Sequence, residues 1–445
     1  MKLNNKKSNA VFLTLLMILS VSLAINAQKK TPASVNKNEI NLIVDSISKL
    51  VKRYYVSLET GEQMSDLILS NNRRDVYTNI SDPYKLATKL TSDLRSINGD
   101  LHMSVNFNST DKKLHTNKIN KNIDPKGVWS NYGFQKVKVL DGNIGYLKIS
   151  HFTNWNNFKE AKKVIDASFN FLKNTDALIL DVRSNRGGFE EIVAYLISYL
   201  YDGEPIHLSD YYRRYENKRD GIYTKKDIPG KKLPNIPVYV LVNGQSASAA
   251  ESLAYMLKHL ERATIIGEIT MGAGNGAMTH NINERFSISI SSETTINSIT
   301  KTSFEQVGVI PNIKTSSEEA FDKGYLLALN YLKENNTKNI AASNYQNVID
   351  FLPSNKTKQK VDIDNYEKYV GTYKNATIEI VITINNSELL AEVIGKGGKI
   401  KLIPKGNHTF IVDNLKERIQ FVLNEKNEIV KLIGIDSPME LKKTK

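Results

Sequence analysis

At 445 residues the chain is too long for one compact core and suits two or three domains. Hydrophobic residues make up 40% and charged residues 24%, as in soluble globular proteins. Cysteine is absent, which excludes a disulfide framework, a thiolate nucleophile and a Cys-based zinc site. The net charge of +13 is spread along the chain and interleaved with Asp, as in "NKRDGIYTKKDIPGKK", without any nucleic-acid motif. It therefore describes a solvated surface, and nucleic acid is not an expected partner.

Residues 1–27 have the pattern of a signal peptide: Lys2, Lys6 and Lys7, then an apolar run from Val11 to Ile25, then Ala27 before a cut. The run is shorter than the roughly 20 residues of a membrane span. No Cys follows it for lipid attachment, so the mature chain is expected to be exported, to periplasm, cell surface or medium, without stable membrane insertion. Removing the three leader lysines leaves a net charge of +10.

From 28 to 115 a small helical domain is expected. Ile40, Ile43, Val44, Ile47, Leu50, Val51 and Tyr54 recur at helical spacing, and Asp82 followed by Pro83 marks another helix start. Residues 108–126 are polar and read as a loop or weak hairpin. The segment 116–338 then alternates short β-branched runs ("NIGYLKI", "DALILDV", "VYVLVN", "ATIIGE") with helical patterns at 158–173 and 190–201. Such alternation predicts an α/β core with a largely buried sheet, closed by a last helix that Ser316 or Ser317 would cap. Residues 339–362 read as a polar linker. Residues 363–445 show short alternating runs punctuated by Asn and Gly, an antiparallel meander forming a barrel or sandwich.

Two places can carry chemistry. In "LVNGQSASAAESLAYMLKHL" a buried strand turns into a helix through the small residues of "GQSASAA". A serine at such a bend projects its hydroxyl, and the helix N-terminus supplies amides for a developing oxyanion. Serine also caps helices and alanine packs closely, so a purely structural turn is the alternative. In "DALILDVRSNRGG" a strand ends in Asp181, Arg183, Asn185 and a glycine pair that lets backbone amides approach a ligand. The carboxyl end of a buried strand is where such sheets place their sites. The seven histidines include no His-x-x-x-His pair, so neither a metal nor another cofactor is expected. The lone cluster "GAGNGA" is a loop, not a nucleotide-binding motif.

The ordered motifs "GYLKISHF", "ALILDVRSNRGG", "VYVLVNGQSASAAE", "ATIIGEITMGAGN" and "FEQVGVIPN" resemble those of the S41 family of serine peptidases, which groups C-terminal processing peptidases with the tricorn core. The resemblance spans roughly residues 54–333. It implies a ClpP/crotonase-like mixed sheet and a peptide or protein substrate. It also implies that Ser248, three residues before Glu251, is the nucleophile, with Ser246 in the turn and Ser252 in the helix. Ala249 would give one oxyanion amide and Gly187 or Gly188 the other. The tail-specific branch has a lysine base where this chain has Ala273, and no Lys lies between Arg262 and Glu284. A Ser-Lys dyad is therefore excluded on this alignment. The tricorn branch implies instead His102, from "INGDLHMSV", as base and Glu305 as its orienting partner. Only about forty residues separate His102 from Gly145, too few for the PDZ domain of the tail-specific branch. The layout also resembles interphotoreceptor retinoid-binding modules, which makes a non-catalytic lipophilic-ligand binder the rival. A third reading gives the function to the C-terminal β domain as a partner-binding part.

Overall fold

The apolar stripe of residues 40–51 becomes helix α1 (Lys37–Tyr54), started by Asn36, whose side chain accepts a hydrogen bond from the Glu39 amide at 3.0 Å. The computed structural model describes residues 34–108, 125–335, 340, 342–352, 363–413, 415, 417–435 and 437–444. The signal peptide read at 1–27, most of the polar stretch 108–126 and the second half of 339–362 lie outside the described residues. No helix among the described residues is long and apolar enough to cross a membrane. The chain divides into two units, one of residues 1–118, 213–218 and 276–293, the other of the remainder.

In the first unit, α2 (Leu58–Arg73) and α3 (Pro83–Arg95) follow α1. Asp82 caps α3 by accepting from the Tyr84 and Lys85 amides, and Pro83 opens the helix where its missing N–H costs nothing. The helical domain expected here is present, and a short strand joins it. Strand β1 (Ser104–Phe107) pairs antiparallel with residues 286–289, the start of the strand Phe286–Asn297. Phe286, Ile288 and Ile290 alternate inward and bury against Ile43, Ile47 and Leu90 of the helices. Three amphipathic helices leave an apolar face uncovered, and this strand closes it. Arg214, from the short inserted segment, donates to the carbonyl oxygens of Lys52, Arg53 and Tyr55 and so satisfies the C-terminal end of α1.

The second unit holds a six-stranded sheet of β2 (Phe134–Leu140), β3 (Ile144–Ile149), β4 (Ala177–Asp181), β5 (Val238–Val242), β6 (Thr264–Gly267) and β7 (Ile313–Lys314). Its order is β7-β6-β5-β4-β3-β2, parallel throughout except for the antiparallel edge strand β2. Period-two alternation sorts the side chains. Leu178, Leu180, Val240 and Val242 bury against α4 (Phe158–Leu172), α5 (Glu190–Ile197) and α6 (Ala249–His259). Ile179, Leu241 and Ile266 bury on the other face against Tyr325 and Leu329 of α7 (Ala320–Glu334). Both faces are covered, which explains the uninterrupted apolar runs of the strands.

The first half of 339–362 is not a linker. It forms α8 (Ala342–Phe351), and Tyr345, Ile349 and Leu352 join the α7 side of the core. The four-residue step from Tyr345 to Ile349 is the helical signal, obscured by the lysines that follow Leu352. The C-terminal meander closes into an eight-stranded barrel whose first strand pairs with its last, Tyr373 opposite Lys443. Tyr373, Phe410, Phe421 and Leu432 fill its interior.

Ile349→Ala is expected to lower stability by about 2–4 kcal/mol, the cost of truncating a buried aliphatic side chain. Urea unfolding followed by circular dichroism checks this; an unpacked linker at 349 would leave the transition unchanged.

Candidate active site

Strand β5 ends at Val242, and the chain turns within six residues into α6. The turn is built by side chains bonding to backbone. Ser246 is buried and donates its hydroxyl to the Val182 carbonyl at 2.8 Å, while the Asn243 side-chain oxygen accepts from the Ser184 amide at 2.8 Å. Ser246 is thus spent on holding the end of β4 to the end of β5, and Ser252 is buried inside α6. Ser248 occupies the N-cap of α6 with φ 54° and ψ −123°. An L-residue rarely holds a positive φ of this kind outside a fold that enforces it, and such strain gathers at strand-to-helix turns that present a reactive hydroxyl.

The enforcing group is Glu251. Its carboxylate is fully buried and accepts four hydrogen bonds: from the Ser248 amide at 2.9 Å, the Thr270 hydroxyl at 2.5 Å, the Gly272 amide at 2.7 Å and the Ala273 amide at 2.8 Å. The loop that would carry a lysine in a Ser-Lys peptidase is therefore bound, through Ala273, to the cap of the serine helix. Onward from this loop, Thr270 accepts from the Val309 amide at 2.6 Å, and the Gln306 amide donates to the Gly272 carbonyl at 2.8 Å. Glu305 belongs to the same assembly. One of its carboxylate oxygens accepts from the Gly274 amide at 2.5 Å and the Asn275 amide at 2.9 Å.

The glycine pair reaches Ser248 from β4. A side-chain carbon on Gly187 would lie 2.6 Å from Ser248 Cβ and 2.9 Å from the Ala249 nitrogen, so only glycine fits at φ 88°. Asn185 sets this approach. It is fully buried, donates to the Ile149 carbonyl, and accepts the Gly187 amide on its side-chain oxygen at 2.8 Å and the Ala247 amide on its carbonyl at 2.9 Å. The Gly187 N–H is thereby already used. The Gly188 and Ala249 amides donate to no acceptor among the described residues. Asp181, buried at the end of β4, is ion-paired with Arg183 at 2.6 Å and accepts from the Tyr146 hydroxyl; the arginine lowers its pKa below the usual range, against the burial that raises it.

The second unit thus brings together Ser248, Ala249, Gly187, Gly188 and Glu305. His102 belongs to the first unit, just after α3, where its backbone amide donates to the buried Asp100 carboxylate at 2.9 Å. Among the described residues no group of three or more His, Asp or Glu side chains has the arrangement of a metal site. Sequence reading gave Glu251 no role beyond marking the motif. Its place three residues after a capping serine was the available signal, but three of its four partners lie 19 to 22 residues downstream.

Comparison with known proteins bears on the same stretches. The family described as "Peptidase family S41" matches residues 143–315, and the "N-terminal domain of Peptidase S41 in eukaryotic IRBP" matches residues 34–130. Residues 143–315 are a peptidase family S41 domain. The S41 match contains Ser248, both glycines and Glu305, and the N-terminal match contains His102. A carboxyl-terminal-processing protease from a Picosynechococcus species is 33% identical over 144 residues, 32% of each chain. A carboxy-terminal-processing protease from Bartonella bacilliformis is 30% identical over 164 residues, 35% of this chain and 36% of that one. The chain therefore spans about a third of the length of these S41 relatives. Among solved structures, a lipoprotein from Streptococcus agalactiae matches with a TM-score of 0.48 at 15% identity, over 70% of this chain and 99% of that one.

Two outcomes are expected from these carboxylates. All four partners of Glu251 are donors, so Glu251→Gln places an amide NH2 against two of them and should cost about 1–3 kcal/mol. The readout is thermal unfolding, together with faster hydrogen exchange at 270–273 than in the parent. Glu190 opens α5 two residues after Gly188, and burial, with the nearby Glu191 charge, pushes its pKa up to about 8 against a contact with Ser252 that lowers it. The unfolded chain loses this proton near 4.5 and the folded chain only near 8, so stability is full below the lower value and falls as pH rises between the two. Glu190→Gln should abolish that decline, checked by urea midpoints across the window.

Proposed function

We propose that this chain is a serine peptidase that hydrolyses peptide bonds through Ser248, His102 and Glu305, in the manner of the tricorn branch and not through a Ser-Lys dyad. The observation that carries the reading is the backbone of Ser248, held at positive φ on the cap of a buried helix with Gly187 packed against its Cβ. Ser248 Oγ attacks the scissile carbonyl carbon as its proton passes to His102. The oxyanion is taken by the Gly188 and Ala249 amides, whose hydrogens are uncommitted, while Gly187 supplies the clearance that lets a carbonyl approach. Collapse of the intermediate breaks the C–N bond, and His102 returns the proton to the departing amine. Water then releases the acyl group by the same route. Glu305, whose carboxylate is fixed by two backbone amides, orients His102. Ala273 in the lysine place, its amide bound to Glu251, supports the absence of a lysine base. The same reading takes the core as ClpP/crotonase-like and the chain as exported, on the basic and apolar leader.

The alternative of a lipophilic-ligand module on this fold has in its favour the match of residues 34–130 to the IRBP-type N-terminal domain. The two readings part in one experiment, mass-spectrometric cleavage of a diverse peptide pool. Ser248→Ala and His102→Ala are each expected to reduce cleavage at least about a thousandfold with the fold retained. Wild-type cleavage rates in Ser248→Ala would overturn the assignment.

A further inference from the structure

A cavity of about 570 Å3 opens beside the glycine pair, and Gly188 and Phe189 form one of its walls. The opposite wall runs from His151 to Trp155. The two walls are joined at the base: Phe152 and Gly188 run side by side as a parallel bridge, and any side chain on Gly188 would collide with the Phe152 carbonyl. Gly188 is thus common to the cavity and to the loop packed on Ser248. A peptide whose scissile carbonyl meets the Gly188 amide has this cavity directly alongside it.

Among the described residues, the lining contains no carboxylate, ammonium or guanidinium group. A charged side chain entering it would lose hydration without gaining a partner. Trp155 stands 65% exposed at the mouth, an unusual position for so large an apolar side chain, yet it is held in place by its neighbours. Its ring meets Phe189 edge-on at 5.1 Å between centroids and lies parallel to Phe158 at 6.0 Å. Phe189 and Phe158 in turn meet edge-on at 5.6 Å. The exposed ring is therefore pre-set, and a ligand ring that stacks on it orders little that is not already ordered.

Resting on the peptidase reading, we infer that this cavity is the specificity subsite of the chain and accepts a large aromatic side chain from the residue that supplies the scissile carbonyl. Trp155 and Phe189 are the recognising residues, and His151, whose ring nitrogens lie 3.2 Å from the Ser130 hydroxyl and 3.1 Å from the Ser150 hydroxyl, forms a fixed polar edge. The chain would cleave after aromatic residues in preference to small or charged ones.

The test separates recognition from cleavage. Calorimetry on full-length Ser248→Ala protein compares acetylated pentapeptide amides that differ only in a central Phe, Ala, Lys or Glu. The Phe peptide is expected to bind at least about tenfold more tightly than the others. Adding Trp155→Ala should bring the ratio below about threefold; because Trp155 is exposed, this variant is expected to fold. Trp129 and Trp155 are the only tryptophans, so in a Trp129→Phe background saturable change in emission places the peptide at Trp155. Equal binding of all four peptides, no saturable binding, or a preference that survives Trp155→Ala would each overturn the inference. Wild-type protein that fails to cleave a peptide its Ser248→Ala form still selects would instead count against the peptidase reading alone.

Discussion

Four donors converge on the Glu251 carboxylate inside the second unit, and the arrangement of the candidate site follows from that convergence. A buried carboxylate is costly unless its oxygens are saturated with hydrogen bonds, and two amides on one oxygen with an amide and a hydroxyl on the other achieve this. The bond to the Ser248 amide fixes the first turn of α6. The other three draw in the 270–273 loop, and that loop carries the Glu305 loop through Thr270 and Gly272. Ser248 and Glu305, 57 positions apart in the chain, are thereby set by one side chain that has no part in the chemistry assigned to either.

The glycine pair is positioned by a parallel device. Asn185 does for the end of β4 what Glu251 does for the start of α6: one buried polar side chain bonded to backbone on several segments. It ties β3, through Ile149, to the glycine loop and to Ala247 just before the serine. The carboxyl ends of parallel strands are where backbone amides of successive turns can face one point, and these two residues keep the turns from drifting apart. Positive φ at Ser248, Gly187 and Gly188 is what such convergence demands of the backbone.

The regular elements were legible because their causes are local. Short β-branched runs gave the strands of the buried sheet, alternation gave those of the barrel, Asp82–Pro83 gave a helix start, and the small residues around Ser248 gave the strand-to-helix turn. What escaped depends on distant partners or on averaging. Glu251 looks like half of a capping box, and nothing near it in the chain announces the 270–273 loop. Tyr345 and Ile349 were swamped by the lysines beyond them, so α8 read as linker. The strand at 286–290 has plain alternation, but only the fold reveals that it covers helices made from residues 37–95. Of the site, the serine, the glycines and the glutamate were visible as motifs. That the Gly187 amide is already bonded was not, because its acceptor is the buried side chain of Asn185.

That covering strand has a consequence for biosynthesis. The helices α1 to α3 leave the ribosome early, yet Phe286, Ile288 and Ile290, which bury their apolar face, and Arg214, which closes the end of α1, emerge far later. At about 5–20 residues per second, the delay is on the order of ten to forty seconds. Throughout it these helices carry an open hydrophobic surface, made well before the residues that cover it. A holding partner in the cell has its natural purchase there, on helices whose apolar face stays open until the covering strand has been made.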